Sequence, residues 1–210
     1  MTHPTLSLLH KATLVALAVL SLGGCAALAV GAAAGTVMVA SDRRTSGVQV
    51  EDQSIELKAS NRITETVGDR GHVNVVSYGR MVLLTGEVAS EADRSAIEQA
   101  VSKIENVRST VNELAVMAST SMTARSNDTY LTSKVKATFV DAKDLQANTI
   151  KVVTERATVY LMGRLTEREA TRAADLARGV SGVQKVVRVF DILTEAELAA
   201  LSSPTTSEKK

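Results

Sequence analysis

Apolar residues recur every four positions in two stretches of the chain, and valine-rich runs follow each stretch. A four-residue spacing places side chains on one face of an α-helix, whereas β-branched runs between polar turns are typical of strands. The pattern predicts the order helix, strand, strand, helix, strand in each stretch, with Asp52 and Asp128 as N-caps of the first helices. The helical stripes consist of Ile55, Ala59 and Ile63, and of Leu131, Val135 and Phe139.

The two stretches are copies of one unit. Val73–Val76 matches Ile150–Val153 at an offset of 77 residues, and the helix-capping Ser90 matches Thr166 at an offset of 76. A strand–helix–strand connection is right-handed, so the last strand of each unit should lie parallel to the second. We therefore predict an α+β fold of two tandem αββαβ domains, each with two helices packed on a mixed three-stranded sheet.

Shifts in composition place the boundaries between the parts of the chain. A linker rich in Ser and Thr separates the two copies, so we expect two separate domains. Proteases should cleave the chain first within this linker. The predicted parts are a signal peptide (1–24), a lipidated N-terminus with a small-residue tether (25–50), the first domain (51–117), the linker (118–127), the second domain (128–193) and a polar C-terminal tail (194–210).

The N-terminus has the layout of a bacterial lipoprotein precursor. An uncharged apolar run follows a short basic start and ends in Leu-Gly-Gly-Cys at residues 22–25. This pattern predicts cleavage before Cys25 and acyl chains, such as palmitate, on the new terminus. Ala26 follows, and because no aspartate stands there to retain the protein in the inner membrane, we expect the outer membrane, with the domains in the periplasm. The alternative is an uncleaved membrane-spanning anchor over residues 12–40.

Short motifs at the ends of the predicted hairpins resemble the BON domain. The first copy has Leu-Thr-Gly-Glu-Val at residues 84–88, and the second has Leu-Met-Gly-Arg-Leu at 161–165 and Val-Ser-Gly-Val at 180–183. Two such copies behind a lipidated cysteine are similar to the dual BON-domain lipoproteins of the outer membrane. The resemblance implies a periplasmic, non-enzymatic role in outer-membrane integrity, with phospholipid binding by the domain. The first copy departs from the pattern because its first helix has no aromatic residue at its start.

The composition offers little catalytic or metal-binding chemistry. After the predicted cleavage the chain keeps one histidine, His72, which we predict to be a solvated side chain in the loop before a strand. With Cys25 lipidated, a histidine–cysteine metal cluster is excluded, and little remains for a Ser–His–Asp arrangement. We therefore expect no enzyme, no catalytic residue, no metal site and no cofactor.

Charge distinguishes the two copies. Residues 51–117 carry 7 basic and 11 acidic side chains, whereas residues 127–193 carry 11 basic and 8 acidic ones. Tyr130, Lys134 and Lys136 lie on the first helix of the basic copy, where an aromatic ring beside ammonium groups suits anionic phospholipid headgroups. We predict that these three residues bind phospholipid. The alternative is that Tyr130 covers the core and that the lysines only solvate the surface.

Two functions remain as alternatives at this point. The first is a lipid-anchored protein that supports membrane integrity and binds anionic phospholipid through its second domain. The second is a periplasmic adaptor that binds envelope proteins or the cell wall. The net charge of +1 gives no argument for nucleic acid as a partner.

Overall fold

The computed structural model describes residues 42–202 of the protein. The predicted signal peptide, Cys25, the first part of the tether and residues 203–210 lie outside the described residues. The helices and strands are α1 (Ser46–Val67), β1 (Gly71–Tyr78), β2 (Met81–Val88), α2 (Glu91–Ser102), β3 (Ser109–Val116), α3 (Met122–Asp141), β4 (Ile150–Glu155), β5 (Thr158–Thr166), α4 (Glu167–Arg178), β6 (Lys185–Leu193) and α5 (Glu195–Ser202). One-turn 3-10 helices precede β1 and β4.

The two units share one sheet topology, which confirms the predicted α+β fold of two αββαβ domains. In the first domain the central strand β2 is antiparallel to β1 and parallel to β3. In the second, β5 is antiparallel to β4 and parallel to β6. The parallel pair needs a long crossover, and α2 or α4 supplies it. The two helices of each domain pack on the same face of its sheet and bury the core there.

The first helix of each domain begins about two turns earlier than predicted. The N-caps are Thr45 and Ser121, whose hydroxyls accept hydrogen bonds from backbone N–H groups three residues further on. The prediction of Asp52 and Asp128 as N-caps is therefore wrong. Both aspartates lie inside the helices and are at most 5% exposed.

The two aspartates instead cap the tight turn between the first two strands of each sheet. Asp128 accepts hydrogen bonds from the N–H groups of Arg156 and Ala157 at 2.8 and 2.9 Å. Both turn residues have positive φ, 50° and 55°, a conformation that costs a non-glycine residue about 1–2 kcal/mol. A carboxylate that satisfies both N–H groups offsets part of this strain. Asp52 makes the equivalent pair of hydrogen bonds in the first domain.

The helix-free faces of the two sheets pack against each other. β2 is buried along its whole length, and β5 is buried at seven of its nine positions. A strand that is buried on both faces reads as a continuous apolar run rather than as an alternating one. Besides the core of each domain, the two sheets thus enclose a core between them. Its buried residues are Tyr78, Met81 and Leu83 of the first domain and Tyr160, Met162 and Val189 of the second.

Hydrogen bonds reinforce this contact between the sheets. The Tyr78 hydroxyl donates to the Thr149 carbonyl oxygen at 3.2 Å, and the Asn74 amide donates to the Glu155 carboxylate at 2.9 Å. Burial raises the pKa of Tyr78 to about 12, so its hydroxyl stays protonated and can donate at neutral pH. The two domains therefore share a packed interface that the sequence analysis did not predict, because the outward side chains of the central strands are apolar and bury each other.

The end of the predicted tether belongs to the folded unit. Arg43 forms a bidentate ion pair with Glu169 at 2.8 Å, and both side chains are only 7% exposed. The contact with Arg43 lowers the pKa of the Glu169 carboxyl from 4.5 to about 2. Arg44 pairs with Asp52 at 2.9 Å, and its guanidinium lies 4.0 Å from the centre of the Tyr78 ring. The residues before α1 thus contact both domains.

Two other predicted boundaries differ in the structure. α3 begins at Met122, inside the predicted linker (118–127), because Ser121 caps it. The predicted polar tail (194–210) starts with the helix α5, where Thr194 and Glu197 exchange hydrogen bonds in the manner of a capping box. Within residues 42–202, helices long and apolar enough to cross a membrane are absent.

Replacing Asp128 with alanine tests the capping of the turn. Asp128→Ala leaves two partly buried N–H groups of a strained turn without an acceptor, and an unsatisfied donor costs up to about 1–3 kcal/mol. We expect the free energy of unfolding, measured by urea denaturation, to fall by about 2–4 kcal/mol. Asp141→Ala, at the exposed end of the same helix, should change it by less than about 0.5 kcal/mol. Equal losses in the two variants would contradict the capping role.

Candidate functional site

The helix α3 presents a long and largely uncharged surface to solvent. Six residues that follow one another at intervals of three or four positions share its exposed side, as the helical period requires. Three of them are large and apolar: Met122, Tyr130 and Val140 are 73%, 62% and 71% exposed. We call this surface the α3 outer face, and its residues are Met122, Ser126, Tyr130, Ser133, Ala137 and Val140.

The buried side of α3 fixes the direction of the α3 outer face. Leu131, Val135 and Phe139 are each at most 2% exposed and point into the second domain. The loop between α4 and β6 also packs on this helix at Gly182, where a Cβ atom would lie 2.8 Å from the Leu131 side chain. Gly182 has a φ of 102°, which glycine adopts without strain. The Val-Ser-Gly-Val motif at residues 180–183 therefore positions α3.

Tyr130 and Lys134 lie together at one border of the α3 outer face. The Lys134 ammonium is 5.5 Å from the centre of the Tyr130 ring, within the range of a cation–π contact. The same ammonium donates to the Ser181 carbonyl oxygen at 2.6 Å. Lys134 is thus held beside a ring that is itself mostly exposed.

Lys136 lies at the opposite border of the α3 outer face. Two residues along a helix correspond to a rotation of about 200°, so Lys134 and Lys136 project to different sides. Lys136 lines a groove of about 270 Å³ together with Phe139 and Val140. The structure therefore brings two of the three predicted residues together and places the third across the face from them.

The charge of this surface has one sign. Between residues 129 and 140, α3 carries Lys134 and Lys136 and no acidic side chain. Asp128 is buried against the turn, and Asp141 is the last residue of the helix. The corresponding residues of α1, 53–64, carry two basic side chains, Lys58 and Arg62, together with one glutamate, Glu56. An anionic surface would therefore be attracted more strongly to α3 than to α1.

Sequence reasoning missed Met122 and Val140 as members of this surface. The prediction followed the buried stripe and its aromatic neighbour, and it placed Met122 in the linker. A signal was present, because the two residues stand eight before and ten after Tyr130 and therefore share its side of the helix.

The prediction of His72 as a solvated loop residue is wrong. His72 lies in β1, directly opposite Glu87 in the antiparallel ladder, and its Nδ1 is 3.6 Å from Glu87 Oε2. The strand begins at Gly71, ahead of the valine-rich run that the prediction used as its start. The packing of the second domain on this sheet then leaves the His72 side chain only 26% exposed.

The BON domain matches residues 51–118 and 127–194 of the chain. The chain belongs to the BON-domain family. The outer membrane lipoprotein DolP of Haemophilus influenzae is 37% identical over 192 residues, which cover 90% of this chain and 99% of the relative. A 21 kDa hemolysin of Actinobacillus pleuropneumoniae is 28% identical over 152 residues, or 71% of this chain and 78% of the relative.

The predicted membership of the dual BON-domain group is thus confirmed, and α3 opens the second BON domain. One solved structure that matches is that of CdsD, a structural protein of the type III secretion system of Chlamydia trachomatis. The match covers 72% of this chain and 98% of the CdsD chain, at 11% identity and a TM-score of 0.28. A similarity this low carries no argument about fold or function.

Proposed function

We propose that this BON-domain protein is an outer-membrane lipoprotein anchored through Cys25, and that its second domain binds anionic phospholipid in support of membrane integrity. The observation that carries the proposal is the α3 outer face, where exposed apolar side chains lie between two borders of lysine. An interfacial helix places its apolar side chains at the headgroup level while its ammonium groups meet phosphates. The similarity to the outer membrane lipoprotein DolP over 90% of this chain supports the location.

The extent of the α3 outer face supports contact with a surface. Exposed apolar residues that share one side of an element mark an interaction site, whereas scattered ones do not. Met122 and Val140 stand 18 residues apart on α3, which corresponds to about 27 Å of helix. The helix can therefore lie along a membrane over most of its length.

In this proposal the lipid anchor holds the protein at the membrane, and α3 makes the contact with the headgroups. Each lysine near an anionic surface contributes about 1 kcal/mol, and salt screens this attraction over about 8 Å at physiological ionic strength. Binding through α3 alone should therefore be weak and salt-sensitive. Acyl chains on Cys25 would hold the domain near the membrane and raise its effective concentration there.

Cys25→Ser tests the anchor. Without the thiol the precursor should remain uncleaved, because cleavage in this pattern follows lipidation of the cysteine. We expect the precursor mass in the variant and loss of the protein from the outer-membrane fraction of a density gradient. The same N-terminal mass and fractionation as in the wild type would contradict the anchor, and co-migration of the wild type with inner-membrane markers would contradict the location.

Flotation with liposomes tests the lipid-binding helix. The unlipidated chain from Ala26 onward should float with vesicles that contain phosphatidylglycerol and not with vesicles of phosphatidylcholine alone, and its binding should weaken as salt rises. Tyr130→Ala and Lys134→Glu should each weaken binding, the latter by at least about fivefold, which corresponds to the contribution of one lysine.

Two substitutions in α1 are matched controls. Lys58 occupies the position of α1 that corresponds to Lys134, so Lys58→Glu changes the charge equally but should leave binding unchanged. Leu57, which is 66% exposed on α1, gives the control Leu57→Ala for the loss of an exposed apolar side chain. Equal binding by all variants, or to neutral and anionic vesicles, would contradict the proposal and favour an adaptor of envelope proteins or the cell wall.

A further inference from the structure

Two buried carboxylates from different domains meet a histidine at one edge of the contact between the sheets. Glu87 in β2 is fully buried, and Glu155 at the end of β4 is 2% exposed. His72 lies opposite Glu87 in the β1–β2 ladder. One potential ligand atom from each of the three residues lies within 4.8 Å of the other two.

We propose that His72, Glu87 and Glu155 form a site for a divalent transition-metal ion, for which zinc is the probe, and that the ion joins the two BON domains. The proposal does not rest on lipid binding by α3, which lies on the outer side of the second domain. It replaces the expectation from composition that the protein has no metal site.

The geometry needs only a small adjustment to hold such an ion. Three atoms within 4.8 Å of one another have a common point no more than about 2.8 Å from each of them, and bonds from zinc to histidine nitrogen or carboxylate oxygen are about 2.0–2.2 Å long. A movement of less than about 1 Å by each side chain closes this difference. Glutamate side chains reach such positions by small torsional changes, without movement of the strands.

Unsatisfied polar atoms lie at the same place. His72 Nδ1 is buried and has no hydrogen-bond partner among the described residues. The Thr85 hydroxyl is also without a partner there, and Thr85 is 1% exposed on the same side of β2, two residues before Glu87. Buried polar atoms are nearly always paired, and an ion or a water molecule at the site is one explanation for an atom without a partner. An ion on His72 Nδ1 would satisfy the atom that the protein leaves open.

The ligand set selects a class of ion. One imidazole nitrogen with two carboxylate oxygens suits zinc and its neighbours in the transition series, whereas calcium and magnesium prefer oxygen ligands alone. Arg156 already pairs with Glu87 Oε1 at 3.0 Å, and Thr120 N–H donates to the other oxygen, Oε2, at 3.2 Å. These contacts orient the Glu87 carboxylate, as hydrogen bonds behind a metal ligand commonly do.

The site is open to solvent on one side. A groove of about 400 Å³ reaches it, and its walls include His72, Asn74 and Glu155. An ion can therefore enter without unfolding of the interface, and water can supply the remaining coordination positions. Because Glu155 belongs to the second domain and the other two ligands to the first, a bound ion would stabilise the contact between the domains.

Metal titration of the mature lipoprotein tests the site. The protein is purified in detergent without a polyhistidine tag, stripped with a chelator and titrated with zinc, and bound metal is counted by mass spectrometry. We expect one ion per chain, no competition from excess magnesium or calcium, and at a hundredfold excess over Kd a rise of the thermal midpoint by about 5–10 °C. Cobalt in place of zinc should give visible absorption bands that change when His72 is replaced.

Three variants make the titration specific. His72→Gln and Glu155→Gln should each bind zinc at least about tenfold more weakly, since the loss of even an outer contact costs that much. When a chelator keeps both proteins free of metal, the thermal midpoint of Glu155→Gln should equal or exceed that of the wild type, because a neutral amide is easier to bury than a carboxylate. The exposed Glu65→Gln removes a carboxylate from α1 and should bind like the wild type.

Either of two results would overturn the proposal. One is failure of the stripped wild type to bind one zinc ion per chain at micromolar concentration. The other is equal affinity in the wild type, His72→Gln and Glu155→Gln, which would place the bound zinc elsewhere on the protein. Neither result would change the liposome prediction for α3, so the two proposals fail separately.

Discussion

The contact between the helix-free faces of the two sheets is the constraint on which the rest of the structure depends. Each αββαβ domain covers one face of its sheet with two helices and leaves the other face apolar. Burial of a large apolar side chain contributes about 1.5–3 kcal/mol, so residues such as Leu83 and Tyr160 favour a partner sheet over water. The two sheets therefore lie inside, and the helices α1, α2, α3 and α4 lie outside.

This arrangement determines which surfaces can meet other molecules. Since the sheets face each other, α1 and α3 turn their exposed sides away from the interface. The two helices differ in charge, because Glu51 and Glu56 of α1 stand where α3 has Asn127 and Thr132. One fold used twice thus yields two outer helices of different charge. The ion pair of Arg43 with Glu169 further ties the segment after the predicted anchor to the second domain.

Local patterns were enough to predict the fold of each domain. The stripe of Leu131, Val135 and Phe139, the capping residues of α4 and the repeat itself follow from periodicities over a few residues. The contact of Asp128 with the turn at Arg156 and Ala157 is different, because it joins positions almost 30 residues apart. A periodicity over a few residues does not predict such a contact. An aspartate stands at the equivalent position of the first copy, Asp52, and this could have suggested a role other than capping a helix.

The packing of the two sheets and the cluster around His72 were missed for a similar reason. Glu87 and Glu155 are 68 residues apart and lie in different domains, so their proximity exists only after the sheets have packed. A signal for the packing was present in the uninterrupted apolar runs of β2 and β5, which indicate burial on both faces. For the α3 outer face, the sequence predicted Tyr130 and Lys134 side by side but not the length of the surface.

Hydrogen exchange of Met162→Ala tests most directly whether the two BON domains are one folded unit. Met162 is fully buried between the sheets, and truncation of such a side chain costs about 2–5 kcal/mol. If the sheets depend on each other, the free energy of exchange should fall by a similar amount in β2 of the first domain and in β5 of the second. Loss of protection in β5 with β2 unchanged would show that the domains fold independently and would contradict the account.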